Sequence, residues 1–155
     1  MNPSAAPRRP PRWLFRLLNP LFTALLRSPL HGLLSGRLLL LTFRGRRSGK
    51  LYTIPVGYAQ VDDRHLLLGT ESAWKANLRG GARVRLRLRG HGRYGAARVI
   101  DDAAGMAAAY RQMLEAAPGY GRAIGITLGP DGEPDPTDVA RARAAGHVVV
   151  EIVLE

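Results

Sequence analysis

A chain of 155 residues without cysteine fits one domain and rules out disulfides, thiolate metal sites and a cysteine nucleophile. Twenty-three Lys and Arg stand against 12 Asp and Glu, a formal charge of +11, so its partners are expected among anions: nucleic acid, acidic lipid, or phosphorylated and carboxylated cofactors. Only 6% of the residues are aromatic, thin for stacking on single-stranded bases, so no specific nucleic-acid partner is expected.

Residues 1–11 are rich in Pro, Ala and Arg and read as a disordered leader. Residues 12–33 form a helical segment. Arg12, Arg16, Asn19, Thr23 and Arg27 recur every three or four places and make one polar stripe, opposite a broad apolar face. Pro20 is expected to kink this helix or divide it. The run is too short to span a bilayer, and Arg16 and Pro20 interrupt it. No small-residue cleavage site follows, which argues against a signal peptide. Two readings stand for residues 12–27: a helix docked on its own domain, or a peripheral contact with a membrane. The absence of cysteine suits a reducing cytoplasm, and the second reading would place the chain on the inner face of the plasma membrane.

Residues 34–155 make the main domain. Leu38–Phe43 is a continuous apolar run suited to a strand buried on both faces. Leu51–Tyr58 is a second strand, with Pro55 marking an edge or a bulge. His65–Leu68 is a third. From Arg83 to Arg89 arginine alternates with Val84, Leu86 and Leu88, the pattern of a half-buried antiparallel strand. Gly90 and Gly92 are expected to flank His91 in a turn, and Tyr94–Ile100 to pair back as a hairpin. Asp101 and Asp102 offer a cap for a helix through about Glu115, ended by Pro118 and Gly119. A Gly/Pro/Asp-rich loop over 129–136, a short helix over 138–145 and a final strand over 147–154 follow. About six short strands joined by tight turns favour closure into a small barrel, so the class is mainly β (α+β).

The sharpest chemical feature is Arg44-Gly45-Arg46-Arg47-Ser48-Gly49-Lys50, between two strands. Gly45 and Gly49 permit a turn that aims backbone amides inward, Ser48 adds a hydroxyl, Arg46 or Arg47 can grip a phosphate or carboxylate, and Lys50 adds a point charge. A solvated basic hairpin is the alternative. It is not a Walker A loop: the glycine spacing is one short, and Leu51 stands where Ser or Thr should hold magnesium. Trp74 and Asn77 are three apart and share a face of a helical turn, either flanking a flat heterocycle or serving as core plug and cap. His31, His65, His91 and His147 have no metal-ligand spacing.

Leu38–Phe43, Gly45-Arg46-Arg47-Ser48-Gly49-Lys50, Thr53, Pro55-Val56, Trp74, Asn77-Leu78-Arg79, Arg83-Val84 and the closing strand together resemble the deazaflavin-dependent nitroreductase and quinone reductase family. The resemblance implies a split β-barrel of the FMN-binding type, with the N-terminal amphipathic helix and further helices at its periphery. It implies the cofactor F420, a deazaflavin with a phospholactyl-oligoglutamate tail, and hydride transfer to a quinone, nitro or similar small acceptor. Carried over residue by residue, the cofactor site is Arg46, Arg47, Ser48, Gly49, Lys50, Thr53, Pro55, Trp74, Asn77 and Arg79, and Tyr120, which matches the tyrosines that shape the acceptor pocket, is the candidate catalytic residue. Tyr52 stands where members often carry Arg. FMN is the alternative cofactor, and a non-catalytic, membrane-associated barrel holding a flavin or lipid is the alternative function. A homodimer fits barrels of this size.

Overall fold

The alternation of arginine and apolar residues after Ala82 becomes the middle of a curled, wholly antiparallel sheet. In the computed structural model, residues 12–28 and 36–155 are described, with side chains from residue 19 onward except 122 and 123. The expected leader, residues 1–11, lies outside the described residues, as do 29–35 with His31.

The strands are β1 (Leu38–Arg44), β2 (Leu51–Gly57), β3 (Ala59–Gln60), β4 (His65–Thr70), β5 (Ala82–Leu88), β6 (His91–Ile100) and β7 (Val148–Leu154), in the spatial order β2-β1-β5-β6-β7-β4-β3. The seventh strand, β3, has two residues, too few for a periodic signal. Pro55 lies on β2, which is an edge strand, so its missing N–H costs no ladder bond on the outer side. Arg89 and Gly90, with φ of 48° and 82°, form the whole β5–β6 turn. His91 and Gly92 therefore stand in β6, paired with Leu88 and Arg87, and not in the turn expected from sequence. Two left-handed residues suffice to reverse a twisted ribbon.

Each strand presents alternate residues to the two sheet faces. The inner face packs Leu39, Leu41, Val84, Leu86, Ile152 and Leu66 into the barrel core. On the outer face Leu67 and Val149 meet α2 (Ala103–Ala116), α3 (Tyr120–Ile124) and α4 (Pro136–Ala144) in a second cluster. Asp102 caps α2 by accepting from the Gly105 amide at 2.7 Å, and Asp135 caps α4 through the Thr137 amide at 2.7 Å. The five-residue α3 escaped the sequence reading, being barely longer than one turn.

The first helix, α1 (Arg12–Arg27), packs on β1 and β2 and buries Leu26. Pro20 lies inside it without dividing it. Among the described residues no helix is long and apolar enough to cross a membrane.

The sheet curls until β2 approaches β4, leaving the barrel split along that margin. Tyr120 reaches into the split. Its hydroxyl accepts from the Gly69 amide of β4 at 3.4 Å and donates to the Gly57 carbonyl of β2 at 3.3 Å.

Tyr110, 1% exposed on the buried face of α2, gives the core a pH signature. Burial pushes its phenol up to about 12. The unfolded chain loses that proton near pH 10, so between about 10 and 12 the folded state binds the extra proton and stability falls as pH rises. Urea unfolding at pH 9 and 11 is expected to show this fall, and Tyr110→Phe is expected to reduce it.

Candidate functional site

The basic turn is built by its own backbone before any ligand is considered. The Gly45 amide donates to the Lys50 carbonyl at 2.7 Å, and the Gly49 amide to the Gly45 carbonyl at 2.9 Å. Arg44 Nη1 donates to the Gly49 carbonyl at 2.6 Å, and the Lys50 amide reaches Ser48 Oγ at 3.3 Å. Gly49 is left-handed at φ 68°, as the turn requires. Gly45 is needed for space instead: a Cβ there would lie 2.6 Å from Ser48 Oγ and 2.7 Å from the Tyr52 ring.

These bonds consume most of the amides that the sequence suggested would face an anion. Among the described residues only the Arg47 and Ser48 amides of the turn lack an acceptor. The cationic side chains are what the turn offers outward. Arg46, Arg47 and Lys50 are exposed, and no described carboxylate pairs with them.

One hydrogen bond joins this turn to the Trp74 segment. The Arg46 amide donates to Asn77 Oδ1 at 2.9 Å across 31 positions of sequence. Asn77 Nδ2 in turn donates to the Trp74 carbonyl at 3.0 Å, within the 3-10 helix Ala73–Leu78. The amide is thus turned so that its oxygen serves the basic turn and its nitrogen serves the indole segment.

Aromatic rings make the second link. Phe43 stacks on Trp74 and on Tyr52, both with centroids 5.8 Å apart, and Tyr52 Oη lies 3.2 Å from Ser48 Oγ. Trp74, Phe43 and Tyr52 form a row that ends at the turn. The stacking of Phe43 and Tyr52 is not signalled by the sequence, although they are cross-strand partners in the last inward-facing register before the turn. Tyr52, where an arginine is common in the resembling family, buttresses Ser48.

Of the expected site residues, Arg46, Arg47, Ser48, Gly49, Lys50, Trp74 and Asn77 come together. Thr53 and Pro55 do not join them. They alternate with Tyr52, Ile54 and Val56 and face the other side of the sheet, where Thr53 Oγ1 lies 2.8 Å from Thr42 Oγ1. Arg79 turns to Asp101 at 2.7 Å and holds that carboxyl below its ordinary range. Tyr120 sits at the split with its hydroxyl bonded on both sides; burial raises its phenol, opposed by the Gly69 amide. Among the described residues no cluster of His, Asp and Glu could hold a metal.

The ring row and turn form an open ledge on the barrel end. Two clefts lie elsewhere: one of about 430 Å³ where Leu114, Gly121, Ile126 and Arg141 meet, and one of about 390 Å³ along α2. Neither includes the indole or the turn.

Comparison with known proteins gives a family match. The family described as F420H(2)-dependent quinone reductase matches residues 26–127. No curated protein matches the chain. Similar solved structures include an FAD-binding protein from Mesorhizobium loti, 18% identical over 87% of this chain and 88% of that one, with a TM-score of 0.47. The FAD and heme binding protein from Mycobacterium smegmatis is 19% identical over 83% and 71%, with a TM-score of 0.40. HupZ from Group A Streptococcus is 16% identical over 83% and 95%, with a TM-score of 0.45.

The split itself can be tested. Tyr120→Phe removes both hydroxyl bonds between the two sheet margins and is expected to lower stability by about 1–2 kcal/mol in urea unfolding, with an unchanged slope. An unchanged midpoint would show that the margins hold without it.

Proposed function

The chain belongs to the F420H(2)-dependent quinone reductase family, and from that premise we propose that it holds reduced F420 with the anionic tail on the Arg46–Lys50 turn and the ring along Trp74. The family is one of oxidoreductases, so the reading is of an enzyme that reduces a quinone, nitro or similar small acceptor. The observation that carries it is the Arg46 amide bond to Asn77, which fixes a cationic turn beside an indole.

The donor set fits such a cofactor. Arg46 and Arg47 present planar forks suited to phosphate and carboxylate oxygens, and Lys50 adds a compact charge. The turn amides are largely committed, so recognition of the tail falls to these three side chains. Trp74 offers a flat apolar surface held by Phe43, and Ser48 keeps the turn in register through Tyr52. When bound, the reduced deazaflavin supplies the hydride that the acceptor takes up; the protein contributes binding and orientation. We assign Tyr120 a positioning role, because its hydroxyl already spans Gly57 and Gly69. Arg79, tied to Asp101, anchors the chain just after the Trp74 helix.

A fluorescence titration with F420 tests the reading, with FMN as competitor. F420 is expected to bind in the micromolar range and to weaken with added salt. Arg46→Ala or Lys50→Ala is each expected to cost about tenfold in affinity, or about 1.4 kcal/mol, in line with loss of a charge-assisted contact. The wild-type chain is expected to oxidise F420H2 with a short-chain quinone. Tighter binding of FMN, or F420 binding indifferent to both substitutions, would contradict this assignment.

A further inference from the structure

We propose that Lys75 is the positioning residue that sets the indole of Trp74 in the site. The geometry stands independently of the cofactor reading; only its consequence for ligand binding rests on that reading.

Trp74 and Lys75 are neighbours in a six-residue 3-10 helix whose leading residue, Ser72, makes no side-chain cap bond. Short 3-10 segments have poor hydrogen-bond geometry and depend on their surroundings for support. Lys75 Nζ donates to two backbone carbonyls, Glu71 at 3.0 Å and Gly146 at 2.5 Å. The second bond spans 71 positions and reaches the turn between α4 and β7. Gly146 is left-handed at φ 84°, so its carbonyl is aimed by a backbone conformation that other residues rarely adopt. A second tie runs beside the first, where His147 Nε2 lies 3.0 Å from Glu71 Oε2.

The Trp74 helix is therefore held from two directions. Asn77 ties it to the basic turn, and Lys75 ties it to the turn between α4 and β7. Removing the Lys75 bonds leaves only the His147 contact with Glu71 on that side, so the helix gains freedom to tilt about Asn77. Tilting about Asn77 would change the 5.8 Å stack of Trp74 on Phe43.

The choice of residue is informative. Lys50 and Lys75 are the only lysines beside 21 arginines, the remainder of 23 basic residues after these two. Both stand in the segments that build the ledge. An ammonium is a compact centre with three donors, able to serve carbonyls from two directions at once.

The test uses the full chain carrying Trp13→Phe, so that Trp74 alone emits. Lys75→Met is expected to shift Trp74 emission to longer wavelength and raise its iodide quenching in the ligand-free protein. The dissociation constant is expected to rise about 3–10-fold for F420 and equally for the tail-less deazaflavin, since the ring contact is what changes. Lys75→Arg, which keeps the charge but spreads its donors over a planar fork, is expected to restore emission and both affinities only in part. Identical emission, quenching and binding in Lys75→Met and the parent would overturn the proposal. So would a loss confined to the tailed ligand. If circular dichroism shows that Lys75→Met does not fold, Lys75→Gln is read by the same criteria. If the parent binds neither deazaflavin, the cofactor reading fails, while the emission and quenching still decide the role of Lys75.

Discussion

A single amide–amide contact gives this barrel end its character: the Arg46 N–H on Asn77 Oδ1. Without it, the basic turn is a hairpin loop bearing three cations, and the Trp74 helix is an excursion between β4 and β5. With it, a charge cluster and an aromatic surface become one object. The bond is worth only about 1 kcal/mol net as an interaction. Its importance is geometric, because it links segments that no strand ladder connects. The stacked row of Trp74, Phe43 and Tyr52 gives the same connection a second, apolar route.

The two-residue period of a strand decides what can reach this ledge. Tyr52 and Ile54 face inward with Phe43 and Leu41, whereas Thr53 and Pro55 face outward with Thr42 and Leu40. A shift of one position moves a side chain to the opposite face of the sheet. That is why residues adjacent in sequence, and equally part of the family pattern, divide between the two faces.

Much of the barrel was legible in the residues themselves. The Arg/apolar alternation of 83–89 predicted the burial of Val84, Leu86 and Leu88, and Pro55 pointed to an edge strand. Asp102 proved to be the helix cap. Elements near one turn in length, β3 and α3, were not legible, because periodicity needs several repeats to register. The site was legible in kind, a basic turn near an indole, but not in construction. Nothing local in the sequence says that Asn77 serves the Arg46 amide, that Gly45 is small to admit Tyr52, or that Arg79 is spoken for by Asp101. Such facts arise from segments meeting in space.

Charge also sorts itself by place. Arg83 and Arg98 of the outer sheet face meet Glu155 and Glu151, and Arg111 meets Glu115 and Glu133. Arg46, Arg47 and Lys50 find no described acid. The net charge of +11 is carried in part by this local surplus beside the indole and in part by exposed Arg85, Arg87 and Arg89, which also meet no described acid. Whether the turn and the indole act as one site is measured most directly by titrating Asn77→Ala with F420 and with its tail-less deazaflavin. If Asn77 couples them, both ligands weaken, although its side-chain amide is already committed within the protein. Wild-type affinity for both would mean that the turn and the indole work separately.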